Sequence, residues 1–303
     1  MAVIDDIAWF KNTFADKIVP LLRGTPIPFD LVSAIAYHET GELWSRTRHH
    51  LPVREVLRLA VGDTLDAPNR SAFPRDKAHL LSAGGGAEMF AIAHGLLGEM
   101  AMATGIEAYQ RVARNPHKFV HGYGIFQIDL QWFRSDPDFF LQQRWQDIDV
   151  VTAKMLAELL RGVGSLGYEG RTDLSATEAA FLAIVYNTGF RNFRKDRGLR
   201  QGHFNGSHYY GECIDRHIKL ARTVPTPTIA VPFARYEVQV RSSLNLRPGS
   251  GLAFPAIRSL VNKTRLFVLE FINTPSGRWA AVDLDGNGTR DGYVAAAYIA
   301  PVD

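Results

Sequence analysis

Glu39 is the residue whose setting most suggests chemistry. It stands in the string His38-Glu39-Thr40-Gly41, at the end of a predicted helix over about residues 29–39 with Asp30 as its N-cap. Leu31, Val32 and Ile35 share one face of that helix, and Glu39 lies one turn beyond Ile35 on the same face. A carboxyl group at the end of an apolar stripe is partly desolvated, which disfavours its anion and raises its pKa. Such a group keeps its proton near neutral pH and can deliver it to a leaving oxygen. Gly41 is expected to end the helix and leave room for a substrate. The plainer alternative is a glutamate at a helix terminus that reaches out to water. His38-Glu39 is not a zinc-protease motif, because position 42 is Glu rather than His and the pair His49-His50 has the wrong spacing.

Two further strings carry polar groups at element boundaries. Gly122-Tyr123-Gly124-Ile125-Phe126-Gln127-Ile128-Asp129 sets alternating apolar residues between glycines that permit a tight turn and a close ligand approach. The bland alternatives are an ordinary turn and, for Asp129, a cap on the next element. Tyr186-Asn187-Thr188-Gly189 closes a helix opened by the capping box Ser175 to Glu178 and carrying Phe181, Leu182, Ile184 and Val185. Asn-x-Gly is also a common helix C-terminus.

In this order, the three strings resemble the signature of the goose-type lysozyme and soluble lytic transglycosylase superfamily, whose members cut the sugar strands of peptidoglycan. The resemblance implies a mainly α, lysozyme-like catalytic lobe with Glu39 as general acid. It further implies that Gln127 lines the sugar cleft and that Asp129 positions the attacking water. Tyr186 would hydrogen-bond near the carboxyl group and the sugar, and Asn187 would hold the helix end. Val185 and Thr188 replace alanines of the superfamily's third string. A larger departure is a long insertion at about 42–115, which contains Arg46, Arg48, His49, His50, Asp63, Asp66, Asp76 and Gly84-Gly85-Gly86. The acid that goose-type enzymes carry shortly before the glycine motif is missing; Asn115-Pro116-His117-Lys118 stands there. Asp63, Asp66 and Asp76 are therefore open alternatives for a second carboxylate. Otherwise Glu39 acts alone, and the sugar's own hydroxyl closes a 1,6-anhydro ring. Among nearby aromatics, Trp44 and Tyr123 are the candidates for stacking on sugar faces, with a core position as the alternative.

The elements that must place these residues are legible in outline. Ile7, Phe10, Phe14, Ile18 and Leu21 predict a helix over residues 4–22, and further helices are expected over about 88–114 and 146–160. Val224-Pro-Thr-Pro-Thr-Ile-Ala-Val-Pro232 blocks a helix and reads as part of an extended linker, 224–235. Beyond it the apolar period changes to two, at Tyr236 to Arg241, Arg265 to Glu270, Trp279 to Val282 and Gly292 to Val294. Residues 236–303 resemble a bacterial SH3 domain through Leu244-Asn-Leu-Arg-Pro-Gly249, Val268-Leu269, Trp279, Gly292-Tyr-Val294 and Tyr298. That resemblance implies a small barrel contacting the cell wall, or else one kept for packing. The expected whole is α+β: a catalytic domain over 1–223, the linker, and the SH3-like domain.

Composition narrows the partners. The 303 residues carry 34 basic and 31 acidic side chains, a net charge of +3, and neither domain is a polycation, which disfavours nucleic acid. No run of about 18 apolar residues offers a membrane span. The single cysteine excludes an intrachain disulfide. Asp5 and Asp6 stand where a secretory signal needs positive charge. Synthesis in the cytoplasm without a Sec signal is expected, with action at the cell wall through a phage-lysis or secretion-system route. No cofactor and no metal is expected. Asp283 to Val294 imitates half of a calcium loop but has Val where a bidentate Glu belongs, so a strand-joining loop is the alternative. The expected function is a muramidase or lytic transglycosylase. A chitinase or chitosanase on the same fold is one alternative, and a non-catalytic wall-binding or partner-recruiting protein is another.

Overall fold

The structure is a computed structural model that describes residues 2–62, 70, 72–227, 234–286 and 288–302. It is α+β and divides into two compact units, 1–227 and 228–303, with the division inside the Pro-rich stretch.

The first unit opens with α1 (Val3–Leu22), which buries Ile7, Phe10, Phe14 and Ile18 at helical spacing, while Leu22 rather than Leu21 takes the last core position. Lys11 is 1% exposed on this helix, and its charge is fully compensated. Its ammonium donates to Asp30 Oδ1 at 2.7 Å and to the carbonyls of Ala221 and Val224 at 2.9 and 2.6 Å. That one buried cation ties the start of α2 (Phe29–Thr47) to the far end of the unit. Asp30 therefore serves as an ion-pair partner inside the first turn, and Pro28 occupies the N-cap position where Asp30 was expected.

Helix α2 also runs on past its expected end. Gly41 lies within it, and a Cβ there would sit 2.7 Å from the Tyr37 ring, so the glycine makes room for an aromatic side chain rather than stopping the helix. Glu39 is consequently mid-helix.

The inserted stretch is part of the core. It forms α3 (Val53–Arg58), the strand β1 (Val61–Gly62), α4 (Lys77–Leu81), α5 (Gly86–Thr104) and α6 (Glu107–Ala113). The single helix expected over 88–114 is split by Gly105, whose φ of 66° places it in the left-handed region that closes α5. Helix α5 buries Met89, Ala93, Leu97 and Met100. Strand β1 completes a three-stranded antiparallel sheet with β2 (Gly122–Tyr123) and β3 (Ile128–Asp129), aligning Gly62 with Gly122 and Gly122 with Asp129. Helices α7 (Pro137–Leu141), α8 (Ile148–Leu166), α9 (Ala176–Thr188) and α10 (Tyr210–Arg222) follow. The capping box of α9 is formed at both ends, Ser175 with the Glu178 amide and Glu178 with the Ser175 amide.

The second unit contains β4 (Ala234–Val238), β5 (Ser243–Leu246), β6 (Arg258–Val261), β7 (Arg265–Thr274), β8 (Gly277–Asp283), β9 (Gly292–Ala295) and β10 (Ile299–Pro301). Five strands form one antiparallel sheet in the order β10-β4-β7-β8-β9, and β5 and β6 form a second pair. Inward residues at period two, Leu244, Leu246, Leu260, Leu266, Val268, Val282 and Val294 among them, make a single core. Trp279 is 2% exposed beside them on β8.

Candidate active site

Hydrogen bonds bring the three strings together. The Thr40 hydroxyl, next to Glu39, donates to the Ile125 carbonyl at 2.9 Å. The Tyr186 hydroxyl, from the end of α9, donates to the adjacent Phe126 carbonyl at 2.9 Å. Two successive carbonyls of the glycine-rich loop are thus fixed by two side chains from different helices. A third helix reaches the acid itself, because the Tyr210 hydroxyl at the start of α10 donates to Glu39 Oε1 at 3.1 Å.

Glu39 is half-buried in this setting. Burial raises the Tyr186 phenol far above its ordinary range, and the negative charge of Glu39 adds to the shift. Burial does the same for Tyr210, with Glu39 again contributing. Both phenols therefore stay protonated and able to donate. His38 packs edge-on against the Tyr210 ring at 4.6 Å and lies 5.7 Å from the His217 ring of α10. Burial lowers His38 to about 4, helped by the charge of His203. Burial also lowers His217 to about 4, with His38 and Arg216 adding to it. Both imidazoles are neutral at neutral pH.

The remaining expected site residues have other placements. Gln127 adopts a left-handed φ of 53°, unusual for a residue with a side chain. Its Nε2 donates to the carbonyls of Ala60 and Gly124 at 3.2 and 3.0 Å. A Cβ on Gly122 would lie 2.2 Å from Gln127 Oε1, so that glycine provides the space for the amide. Gln127 locks the loop to the inserted strand β1, and both of its donor hydrogens face the protein's own carbonyls. Asp129 Oδ1 accepts from the Gln131 amide and from Arg70 Nη2, each at 2.6 Å. It therefore caps the following turn, as the plain alternative had it, and is ion-paired with a residue of the insertion.

Trp44 and Tyr123 do not serve as stacking platforms. Both are 0% exposed; Trp44 packs 5.1 Å from Trp9, and Tyr123 lies 4.7 Å from Trp145 with its hydroxyl on the Val120 carbonyl at 2.9 Å. Nearness to the motifs could not distinguish a core ring from a cleft ring, and neither has a face to offer a sugar. Asn187 is exposed, and the end of α9 is held instead by Gly189 and by Asn192 Nδ2, which donates to the Thr188 carbonyl at 2.7 Å. Of the alternative acids, Asp76 caps α4 through the His79 amide at 2.8 Å, and Asp63 and Asp66 lie outside the described residues.

Sequence reasoning missed Tyr210, which the fold delivers to Glu39 from 171 residues away, and His217, which lies beside His38. It also missed Arg70. The local signals for α10 are the helical spacing of Ile214, Ile218 and Ala221 and Glu212, whose carboxylate accepts from the Tyr209 amide at 2.8 Å in a capping box.

In the second unit, Asp283, Asp285 and Asp291 bring carboxylate oxygens within 4.8 Å of one another. Asp283 is fully buried and accepts backbone N–H groups of Asp285, Gly286 and Gly288 at 3.1, 2.8 and 2.6 Å. Val294, at the twelfth position of the calcium-like string, is a buried residue of β9 paired with Ala280. This is the architecture of a strand-joining loop. A groove of about 860 Å³ elsewhere on the unit is lined by Arg241, Asn245, Arg247, Lys263, Trp279 and Tyr298, with others. No helix among the described residues is long and apolar enough to cross a membrane. In comparisons with known proteins, no family model, no curated protein and no solved structure matches this chain.

Proposed function

We propose that this chain is a peptidoglycan-cleaving glycosidase in which Glu39 is the general acid. The observation that carries the reading is that Thr40 of the first string and Tyr186 of the third bind successive carbonyls of the second, at Ile125 and Phe126, while Tyr210 of α10 binds Glu39 itself. These are the strings that resemble the goose-type lysozyme and lytic transglycosylase signature. Packing of the separated strings against one another is what a shared site requires.

In this mechanism Glu39 gives its proton to the glycosidic oxygen as the bond to the anomeric carbon breaks. The positive charge that develops on the sugar is then captured by an oxygen nucleophile, either water or the sugar's own 6-hydroxyl. The nucleophile's proton returns to the Glu39 carboxylate. The Tyr210 hydroxyl fixes the carboxyl rotamer, and Tyr186 fixes the loop that faces it. Asp129, held by Arg70, is a tie between the loop and the insertion. The second unit serves as an SH3-like wall-targeting module, with the groove beside Trp279 and Tyr298 as its contact surface.

The test is incubation of the purified protein with insoluble peptidoglycan and, separately, with insoluble chitin, followed by assay of soluble saccharide. Release from peptidoglycan supports the reading, and release from chitin alone moves the substrate to the neutral polymer. Retention on both polymers without release identifies a binding protein.

A further inference from the structure

Residues 189–209 join the two tyrosines of the site, leaving α9 three positions after Tyr186 and entering α10 at Tyr210. This connection carries Arg191, Arg194, Lys195, Arg197 and Arg200 against a single acid, Asp196. All five cations are exposed, and among the described residues none of them forms an ion pair. Several other cations of the unit are ion-paired, such as Arg46 with Glu42, Arg48 with Asp6, Arg58 with Glu99, Lys154 with Asp136 and Arg171 with Glu178, and those unpaired among the described residues, such as Lys17, Arg111 and Arg114, do not form so dense a run.

The run is not a loose solvated tail. Gln201 is 6% exposed and clamps it, accepting from the Arg194 amide at 2.6 Å and donating to the Gly198 carbonyl at 2.6 Å. Arg194 Nη1 donates to the carbonyls of Arg191 and Phe193 at 2.8 and 2.9 Å, and the Arg200 guanidinium lies 5.9 Å from the Tyr209 ring. The fold therefore fixes the backbone of a cation-rich segment in which Asp196 is the one acid among five cations. Phe190 and Phe204 flank the run with about half their surfaces exposed. The far end stays near the acid, because the His203 carbonyl accepts from the amide of Tyr210 at 2.8 Å and the hydroxyl of the same tyrosine donates to Glu39 at 3.1 Å.

We infer that the 191–200 segment is a substrate-binding rim that selects a carboxylate-bearing glycan over a neutral one. This rests on the proposed cleavage by Glu39 and names the class of polymer that site takes. Peptide stems on a peptidoglycan strand carry carboxylates at regular intervals, whereas chitin carries none. A cationic rim at the cleft raises the local concentration of the first and does nothing for the second.

The experiment compares the full chain with two variants of equal charge loss, Arg191→Gln/Lys195→Gln/Arg197→Gln and Lys17→Gln/Arg111→Gln/Arg114→Gln. All six positions are exposed. Retention on purified sacculi is read by cosedimentation at low and high salt, and on the same sacculi after amidation of their carboxyl groups. Retention is read whether or not the glycan is cut, so loss of the cleavage reading leaves this test intact. The rim variant should lose roughly tenfold in retention at low salt, while the control variant stays within about twofold of the parent. The parent should lose the same preference on amidated sacculi and, on native sacculi, as salt screens the charges. Equal behaviour of the two variants, or parent retention unchanged by amidation, would overturn the inference. Because the second unit's groove also carries Arg241, Arg247 and Lys263, the amidation arm is read as the difference between rim and control variants, which amidation should abolish, and thermal unfolding of each variant checks that it is folded.

Discussion

Glu39 and Asp129 are held by different kinds of partner. Glu39 sits mid-helix, half-buried, and accepts a hydrogen bond from the neutral Tyr210 phenol. Asp129 sits at a strand end, accepts a backbone amide and is bound by the Arg70 guanidinium at 2.6 Å. A phenol can donate to a carboxylate or accept from a carboxylic acid, so Glu39 can change protonation state and keep this partner. A guanidinium can only donate, so Asp129 would have to give up its ion pair to carry a proton on that oxygen. This difference is the ground on which the proposed mechanism gives proton transfer to Glu39 and leaves Asp129 as a tether.

Several substitutions can break this contrast. The largest expected effect is on rate: Glu39→Gln should reduce saccharide release by about a thousandfold or more, the loss of a general acid, whereas Asp129→Asn should stay within about tenfold of the parent. Comparable losses from both would make Asp129 a second reacting group. The next effect is on stability against pH and concerns the surroundings of Glu39. His38 and His217 lie at about 4 in the folded chain, against about 6.5 in an unfolded one. The unfolded chain therefore takes up protons first as pH falls. The stability held by the neutral pair is complete above about pH 6.5, is lost progressively towards pH 4, and falls no further below that. The loss should be on the order of 3 kcal/mol for the coupled pair. Urea unfolding at pH 7.5 and 4.5 reads it, and His217→Gln should flatten the dependence.

Stability should also invert the order of the two carboxylates. Asp129→Asn removes the Arg70–Asp129 ion pair and should cost roughly 2 kcal/mol, while Glu39→Gln should cost less than about 1 kcal/mol. Chemical denaturation of both variants is the check. The smallest effect is Tyr210→Phe, which removes one hydrogen bond and should cost about 1 kcal/mol in stability. Its rate should fall by roughly tenfold, through loss of the Glu39 rotamer rather than of substrate binding. An unchanged kcat would show that the Tyr210 hydroxyl does not position the acid.

How much of this was legible in the sequence depended on the range of the interaction. The capping box at Ser175, the period-two strands after residue 234 and the apolar stripe of α1 are local patterns, and they appear where local physics puts them. Gly41 was misjudged because a glycine that ends a helix and one that clears space for Tyr37 look alike without the tertiary neighbour. Trp44 and Tyr123 were misjudged for the same reason, since proximity in sequence to a motif does not say which way a ring faces. Tyr210, His217 and Arg70 carried no local signal at all. Their roles arise only when α10 and the insertion pack against α2 and the glycine-rich loop.

The most direct test of Glu39 as the acid of a glycan-cutting site is mass spectrometry of the fragments released from purified peptidoglycan by the parent and by Glu39→Gln. The account predicts fragments ending in reducing or 1,6-anhydro muramic acid from the parent and none from the variant. Equal release by both proteins, or fragments cut only at peptide bonds, would contradict it.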